Sequence, residues 1–123
     1  MAKNILVIDD DGLVAKSLCN LLKKSDYSAE ALGDGFEALE AIANTHFDLI
    51  IVDIKMPGID GVETAKRIKE LLKRKNRPDI PVIFITGYSE LSEKAKSLGK
   101  VFLKPFDNEE ILKTVKEHLF GNS

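Results

Sequence analysis

A chain of 123 residues, 44% hydrophobic and 31% charged, is long enough for one domain with its own core and needs neither a disulfide nor a structural metal to fold. Its 18 basic and 20 acidic residues leave a net charge of −2, which gives no electrostatic case for nucleic-acid binding. No apolar run approaches the roughly 20 residues of a membrane span, and the stretch Ile5 to Ile8 ends in three aspartates rather than a signal-peptide pattern, so a cytoplasmic protein is expected.

Ile5-Leu6-Val7-Ile8 is too short for a helix and uninterrupted in hydrophobicity, so it reads as a strand buried on both faces and stopped by Asp9-Asp10-Asp11. Leu13 to Lys24 has helical spacing, with Val14, Leu18, Leu21 and Leu22 on one face. Asp11 is expected to cap this helix, and the single cysteine, Cys19, to be a small buried hydrophobe. Tyr27 to Leu32 reads as a weaker strand broken by Gly33-Asp34-Gly35, and Phe36 to Ala43 as a short helix with Leu39 and Ile42 inward. Asp48 to Val52 is the clearest strand and runs straight into Asp53.

Past Met56-Pro57-Gly58, a helix is expected from Gly61 to Lys75, with Val62, Ala65, Ile68 and Leu72 at core spacing. Its basic tail, Lys73 to Arg77, reads as a solvated end favoured by the helix dipole. Pro78 and Pro81 bracket a loop. Val82 to Ile85 is then a fourth buried strand ending at Thr86, Ser89 to Leu98 a short helix, and Val101 to Leu103 a fifth strand. The last helix opens at Asp107, with Glu110 three residues on, and places Ile111, Leu112, Val115 and Leu119 on its buried stripe. Five β-α units in series predict a single α/β domain over residues 1–123, a parallel sheet with helices on both faces. In such open sheets ligands bind at the carboxyl ends of the strands.

The polar interruptions all fall at that edge. Asp9 and Asp10 end the first strand, Asp53 the third, Thr86 the fourth and Lys104 the fifth. Three carboxylates gathered there repel one another unless positive charge offsets them, and a hard divalent cation with one ammonium, Lys104, would do so; Mg²⁺ is the physiological candidate. Phosphoryl transfer to a carboxylate needs these parts and few others. Asp53 is the expected nucleophile, because it ends the central strand and the tight turn after it leaves it exposed. Asp10 is expected to ligate the metal directly and Asp9 directly or through water, with Asp53 and the backbone carbonyl of Lys55 completing the set. Thr86 can donate its hydroxyl to a phosphoryl oxygen and Lys104 can pair with another.

Four blocks in order, Ile8-Asp9-Asp10, Asp53 through Gly61, Ile85-Thr86-Gly87 and Lys104-Pro105-Phe106, resemble the receiver domain of two-component response regulators across essentially the whole chain. The resemblance implies a flavodoxin-like (βα)5 fold, a doubly wound five-stranded parallel sheet in the order 2-1-3-4-5. It implies Mg²⁺-dependent transfer to Asp53 from the phosphohistidine of a histidine kinase or histidine phosphotransferase, with small phosphodonors such as acetyl phosphate able to substitute. The protein is then a phosphoacceptor that promotes its own phosphorylation and slow dephosphorylation rather than an enzyme. Phosphorylation draws Thr86 inward and alters the face formed by the fourth helix, fifth strand and fifth helix, and the Lys104–Pro105 peptide is typically cis.

Two departures stand out. The family usually has Tyr or Phe three residues before the lysine, where this chain has Val101, with Phe102 beside it. Side chains alternate along a strand, so Phe102 cannot stand in for Val101 without a register change. The stretch from Thr86 to Lys104 is also about four residues shorter than is usual for the family, so a trimmed or irregular fourth helix is expected. Lys55 could shield an acyl phosphate from water or pair with the phosphoryl group, which would slow self-hydrolysis.

The chain stops at Gly121-Asn122-Ser123 soon after its last helix, so no output domain is expected. A monomeric, diffusible regulator that docks on a target protein and a relay intermediate both fit, as does a piece of a larger protein. An aspartate-dependent phosphohydrolase would want a second Asp two residues after the nucleophile, where Lys55 stands. A flavin carrier would want a Ser/Thr/Gly-rich loop where Asp9-Asp10-Asp11 stands.

Overall fold

A computed structural model describes residues 2–121. The elements run β1 (Asn4–Ile8), α1 (Gly12–Lys24), β2 (Ser28–Leu32), α2 (Gly35–Asn44), β3 (Leu49–Asp53), α3 (Gly61–Arg74), β4 (Val82–Thr86), α4 (Ser92–Lys96), β5 (Lys100–Leu103) and α5 (Asn108–Phe120). The strands are parallel and lie in the order β2-β1-β3-β4-β5. Ile5 lies opposite Leu49, Asp53 opposite Ile85 and Thr86 opposite Leu103.

The pleat sorts the strand side chains into two cores. Ile5, Val7, Leu49, Ile51, Ile83, Ile85 and Phe102 pack with α1 and α5. Leu6, Ile8, Ile50, Val52, Val82 and Phe84 pack with α2, α3 and Ala95 of α4. Both faces of β3 and β4 are covered, which is why those segments are unbroken hydrophobic runs instead of alternating ones. Fully burying each such Ile, Leu or Phe contributes about 1.5–3 kcal/mol.

Four of the helices begin at an aspartate cap. Asp11 accepts the N–H groups of Leu13 and Val14, Asp34 that of Glu37, Asp60 that of Glu63, and Asp107 those of Glu109 and Glu110. Asp11 and Asp107 meet the sequence expectation. Asp34, read only as part of a strand break, is also the cap of α2.

Several boundaries and faces differ from the sequence reading. Lys75 is not helical but caps α3, and Tyr27 precedes β2. Asp48 precedes β3, where one carboxylate oxygen accepts the Asn4 N–H and the other meets His46 Nε2. The buried stripe of α1 is Ala15, Leu18, Cys19 and Leu22, with Val14 and Leu21 half-buried at its edges. Cys19 is buried as expected, and burial pushes its thiol above the usual range. Leu39, Leu112 and Leu119 are likewise only half-buried. The largest difference is Ser89 to Leu98, which is not one helix but a 3-10 turn over Ser89–Leu91 followed by the five-residue α4. The segment ends at Gly99, where a Cβ would stand 2.2 Å from the Val82 carbonyl oxygen, so the chain there passes directly against β4. Asn122 and Ser123, at the expected chain end, lie outside the described residues.

Candidate phosphoacceptor site

The ladder runs one residue past β1 and β5, since the Asp9 N–H donates to the Leu32 carbonyl at 3.0 Å and the Lys104 N–H to the Thr86 carbonyl at 2.7 Å. Asp9, Asp53 and Lys104 therefore keep the strand parity of Val7, Ile51 and Phe102, on the side of α1 and α5. Thr86 has the opposite parity, that of Phe84. This alternation decides which side chains meet.

Lys104 Nζ donates to Asp9 Oδ2 at 3.0 Å and to Asp53 Oδ2 at 3.3 Å. One oxygen each from Asp9, Asp10 and Asp53 lies within 4.8 Å of the others. Asp9 and Asp53 are buried, at 2% and 6% exposure, while Asp10 is exposed. The expectation that Asp53 stands exposed is thus corrected: it is reached through an open cavity of about 740 Å³ whose lining includes Asp10, Lys55, Gly87, Tyr88 and Lys104. A larger exposure would leave its charge in water, where the neighbouring ammonium has little hold on it. The Lys104–Pro105 peptide is cis.

Burial pushes the Asp53 carboxyl up to about 6, the Asp9 charge adds to the rise, and Lys104 opposes it. Burial alone would lower the Lys104 ammonium, but its hydrogen bond to Asp9 and the charges of Asp9 and Asp53 hold it above the ordinary lysine range. The pair of buried acids thus carries more negative charge than one lysine offsets. The donor set suits a hard cation: three carboxylate oxygens within 4.8 Å are close to the roughly 4.2 Å that separates opposite ligands of an octahedral Mg²⁺. Asp9, Asp10 and Asp53 could hold it, with the Lys55 carbonyl two residues past Asp53 as a further oxygen.

Of the residues singled out in the sequence, Asp9, Asp10, Asp53 and Lys104 are brought together. Thr86 is fully buried at the same edge, but its Oγ1 accepts the Tyr88 N–H at 3.1 Å. Lys55 lines the cavity with its Nζ 4.3 Å from the centroid of the Tyr88 ring. Tyr88 escaped the sequence reading. Its one signal was an aromatic two residues after Thr86, at a break where no core position called for it.

A doubly wound parallel sheet with a lysine and three acids at its carboxyl edge is an arrangement whose chemistry suits a phosphoryl group and a divalent cation. Residues 5–116 match the family described as the response regulator receiver domain, and the chain belongs to that family. It is 35% identical to the sporulation initiation phosphotransferase F of Bacillus subtilis, over 97% of this chain and 95% of that protein. It is 37% identical to protein PilG of Pseudomonas aeruginosa, over 94% of this chain and 86% of that one. Against the response regulator MprA of Mycobacterium species it spans about half of the relative, at 36% identity over 91% of this chain and 48% of that protein. Among solved structures it resembles TrrA of Thermotoga maritima, determined in complex with Mg²⁺-BeF, with a TM-score of 0.82 and 33% identity over 95% of this chain and 99% of that one. A CheY-like receiver domain protein of Methanospirillum hungatei gives 0.83 and 31%, over 97% of this chain and 94% of that one. Receiver domains serve two-component signalling, phosphorylated by histidine kinases or phosphotransferases. Among the described residues no helix is long and apolar enough to cross a membrane.

Proposed function

We propose that Asp53 is the phosphoacceptor of this receiver. The observation that carries the reading is the Asp53 carboxylate held 3.3 Å from Lys104 Nζ, within 4.8 Å of oxygens of Asp9 and Asp10. An Asp53 oxygen attacks the phosphorus of a phosphohistidine on a histidine kinase or histidine phosphotransferase. The P–N bond breaks, its electron pair returns to the imidazole, and an acyl phosphate forms on Asp53. Lys104 pairs with one phosphoryl oxygen, and Thr86, turned from Tyr88, donates its hydroxyl to another. Mg²⁺ held by Asp9, Asp10, Asp53 and the Lys55 carbonyl would neutralise charge on the phosphoryl oxygens. Asp53 must be ionised to attack, so removing its proton is part of what the cationic groups supply.

Residues 1–123 act in this reading as one cytoplasmic, monomeric receiver unit that promotes its own phosphorylation and slow dephosphorylation, and signals by docking through α4, β5 and α5. The relative of nearly equal length that is named a phosphotransferase favours a relay role, in which Asp53 passes its phosphoryl group on to a second histidine. The test is to incubate the protein with Mg²⁺ and acetyl phosphate and weigh it intact. A gain of one phosphoryl mass is expected, absent in Asp53→Ala and with EDTA. No adduct, with acetyl phosphate or with any of a range of histidine kinases, overturns the reading. Transfer from the loaded protein to a histidine phosphotransferase separates relay from regulator.

A further inference from the structure

Two groups at the edge of the Asp53 site hold Tyr88 there, while its carbonyl accepts the Leu91 N–H at 3.1 Å and joins it to the 3-10 turn. Thr86 Oγ1 accepts its N–H at 3.1 Å, and Lys55 Nζ covers its ring at 4.3 Å. Tyr88 is 44% exposed. It borders the cavity that opens on Asp53 and also a second one, of about 270 Å³, whose lining includes Ile54, Met56, Asp60, Glu90 and Leu91. Gly87 before it has open space around it, and the segment after it, Ser89 to Lys96, fully buries only Ala95. Such a segment rearranges at low cost.

We infer that Tyr88 is the residue that reports phosphorylation of Asp53 in this protein, in place of an aromatic on β5. The inference rests on the phosphoacceptor reading above. β5 offers no aromatic for the task, because Val101 holds the position on the Phe84 side and Phe102 is packed against α5 on the other face. A phosphoryl group on Asp53 brings anionic oxygens into the cavity that Lys55 lines. An ammonium pairs with a phosphoryl dianion in preference to an exposed aromatic face. A Thr86 hydroxyl rotated towards the same group leaves the Tyr88 N–H without its acceptor. Both tethers are withdrawn by one event. The ring then turns about Gly87 into the second cavity, between β3 and the 3-10 turn, and the surface from Tyr88 to α4 that a partner meets is changed.

Tyr88 and Tyr27 are the two tyrosines, and there is no tryptophan, so Tyr27→Phe leaves Tyr88 as the sole tyrosine fluorophore. The full chain carrying this change is held phosphorylated with Mg²⁺ and excess acetyl phosphate, its adduct verified by intact mass, and its fluorescence quenched with acrylamide. The quenching constant is expected to fall by about twofold or more as the ring leaves water. Lys55→Ala in the same background is expected to change quenching before any phosphodonor is added. A full adduct with unchanged quenching overturns the role of Tyr88 and leaves Asp53 as acceptor. No adduct, with acetyl phosphate or with any of the histidine kinases, overturns both.

Discussion

Lys104 Nζ lies 3.3 Å from Asp53 Oδ2, across 51 residues of sequence, because β3 and β5 flank β4 and the pleat turns both side chains to the same face. The ammonium is placed to neutralise charge that grows on a transferring phosphoryl group. Replacing Lys104 by Met keeps the length and removes the charge. We predict that phosphorylation by acetyl phosphate, followed as adduct mass against time, slows about tenfold to a hundredfold. An unchanged rate would reduce Lys104 to a structural partner of Asp9.

The raised Asp53 carboxyl has a thermodynamic consequence. Its folded value of about 6 exceeds the ordinary 3.8, so the neutral form is the one folding favours. That stability is fully present below about pH 3.8 and is lost as pH rises through about 6. Asp53→Asn keeps the site neutral at every pH. In EDTA, its advantage over the wild type in urea unfolding is expected to be about 2 kcal/mol at pH 7.5 and to shrink towards zero by pH 4. An equal advantage at both pH values would show that the carboxylate bears no such cost.

The strands were legible because a buried parallel strand is an unbroken apolar run, and Ile5 to Ile8 and Val82 to Ile85 admit no other reading of that length. The gathering of Asp9, Asp53 and Lys104 followed from topology, since every parallel strand in such a sheet delivers its last residue to one edge. The details missed were those set by contacts distant in sequence. Ser89 to Leu98 breaks into a turn and a five-residue helix just before Gly99 lies against the Val82 carbonyl, a contact that no local propensity records. That Asp53 is buried depends on neighbours from three strands. The pairing of Lys55 with Tyr88 joins two loops, and sequence spacing says nothing of loops that meet.

Lys55 stands at the mouth of the Asp53 cavity with its ammonium over Tyr88. From either position, over the ring or on a phosphoryl oxygen, it would restrict the approach of water to an acyl phosphate on Asp53. Lys55→Ala is expected to shorten the half-life of the phosphorylated protein about twofold to fivefold, as a water-excluding group is lost. The measurement is decay of the adduct mass after removal of the phosphodonor, and a half-life equal to that of the wild type would sink the idea.

Gly61 opens α3 directly behind the acceptor. Its N–H donates to the Ile54 carbonyl at 2.7 Å, and a Cβ added there would lie 2.3 Å from the Asp53 carbonyl oxygen and 2.9 Å from Ile54 Cα. The atoms met are backbone, so nothing can swing aside, and the strain must move either α3 or the end of β3. Gly61→Ala is therefore expected to destabilise the protein by about 1–3 kcal/mol in urea unfolding. It should also slow phosphorylation, because the displaced segment carries Asp53. Gly12 is the control: it too opens a helix, but a Cβ there meets nothing within 4 Å. Gly12→Ala is expected to be neutral or to stabilise by up to about 1 kcal/mol, through the reduced freedom of the unfolded chain. If the two substitutions behaved alike, close packing of α3 against the acceptor strand would not be what demands a glycine at position 61.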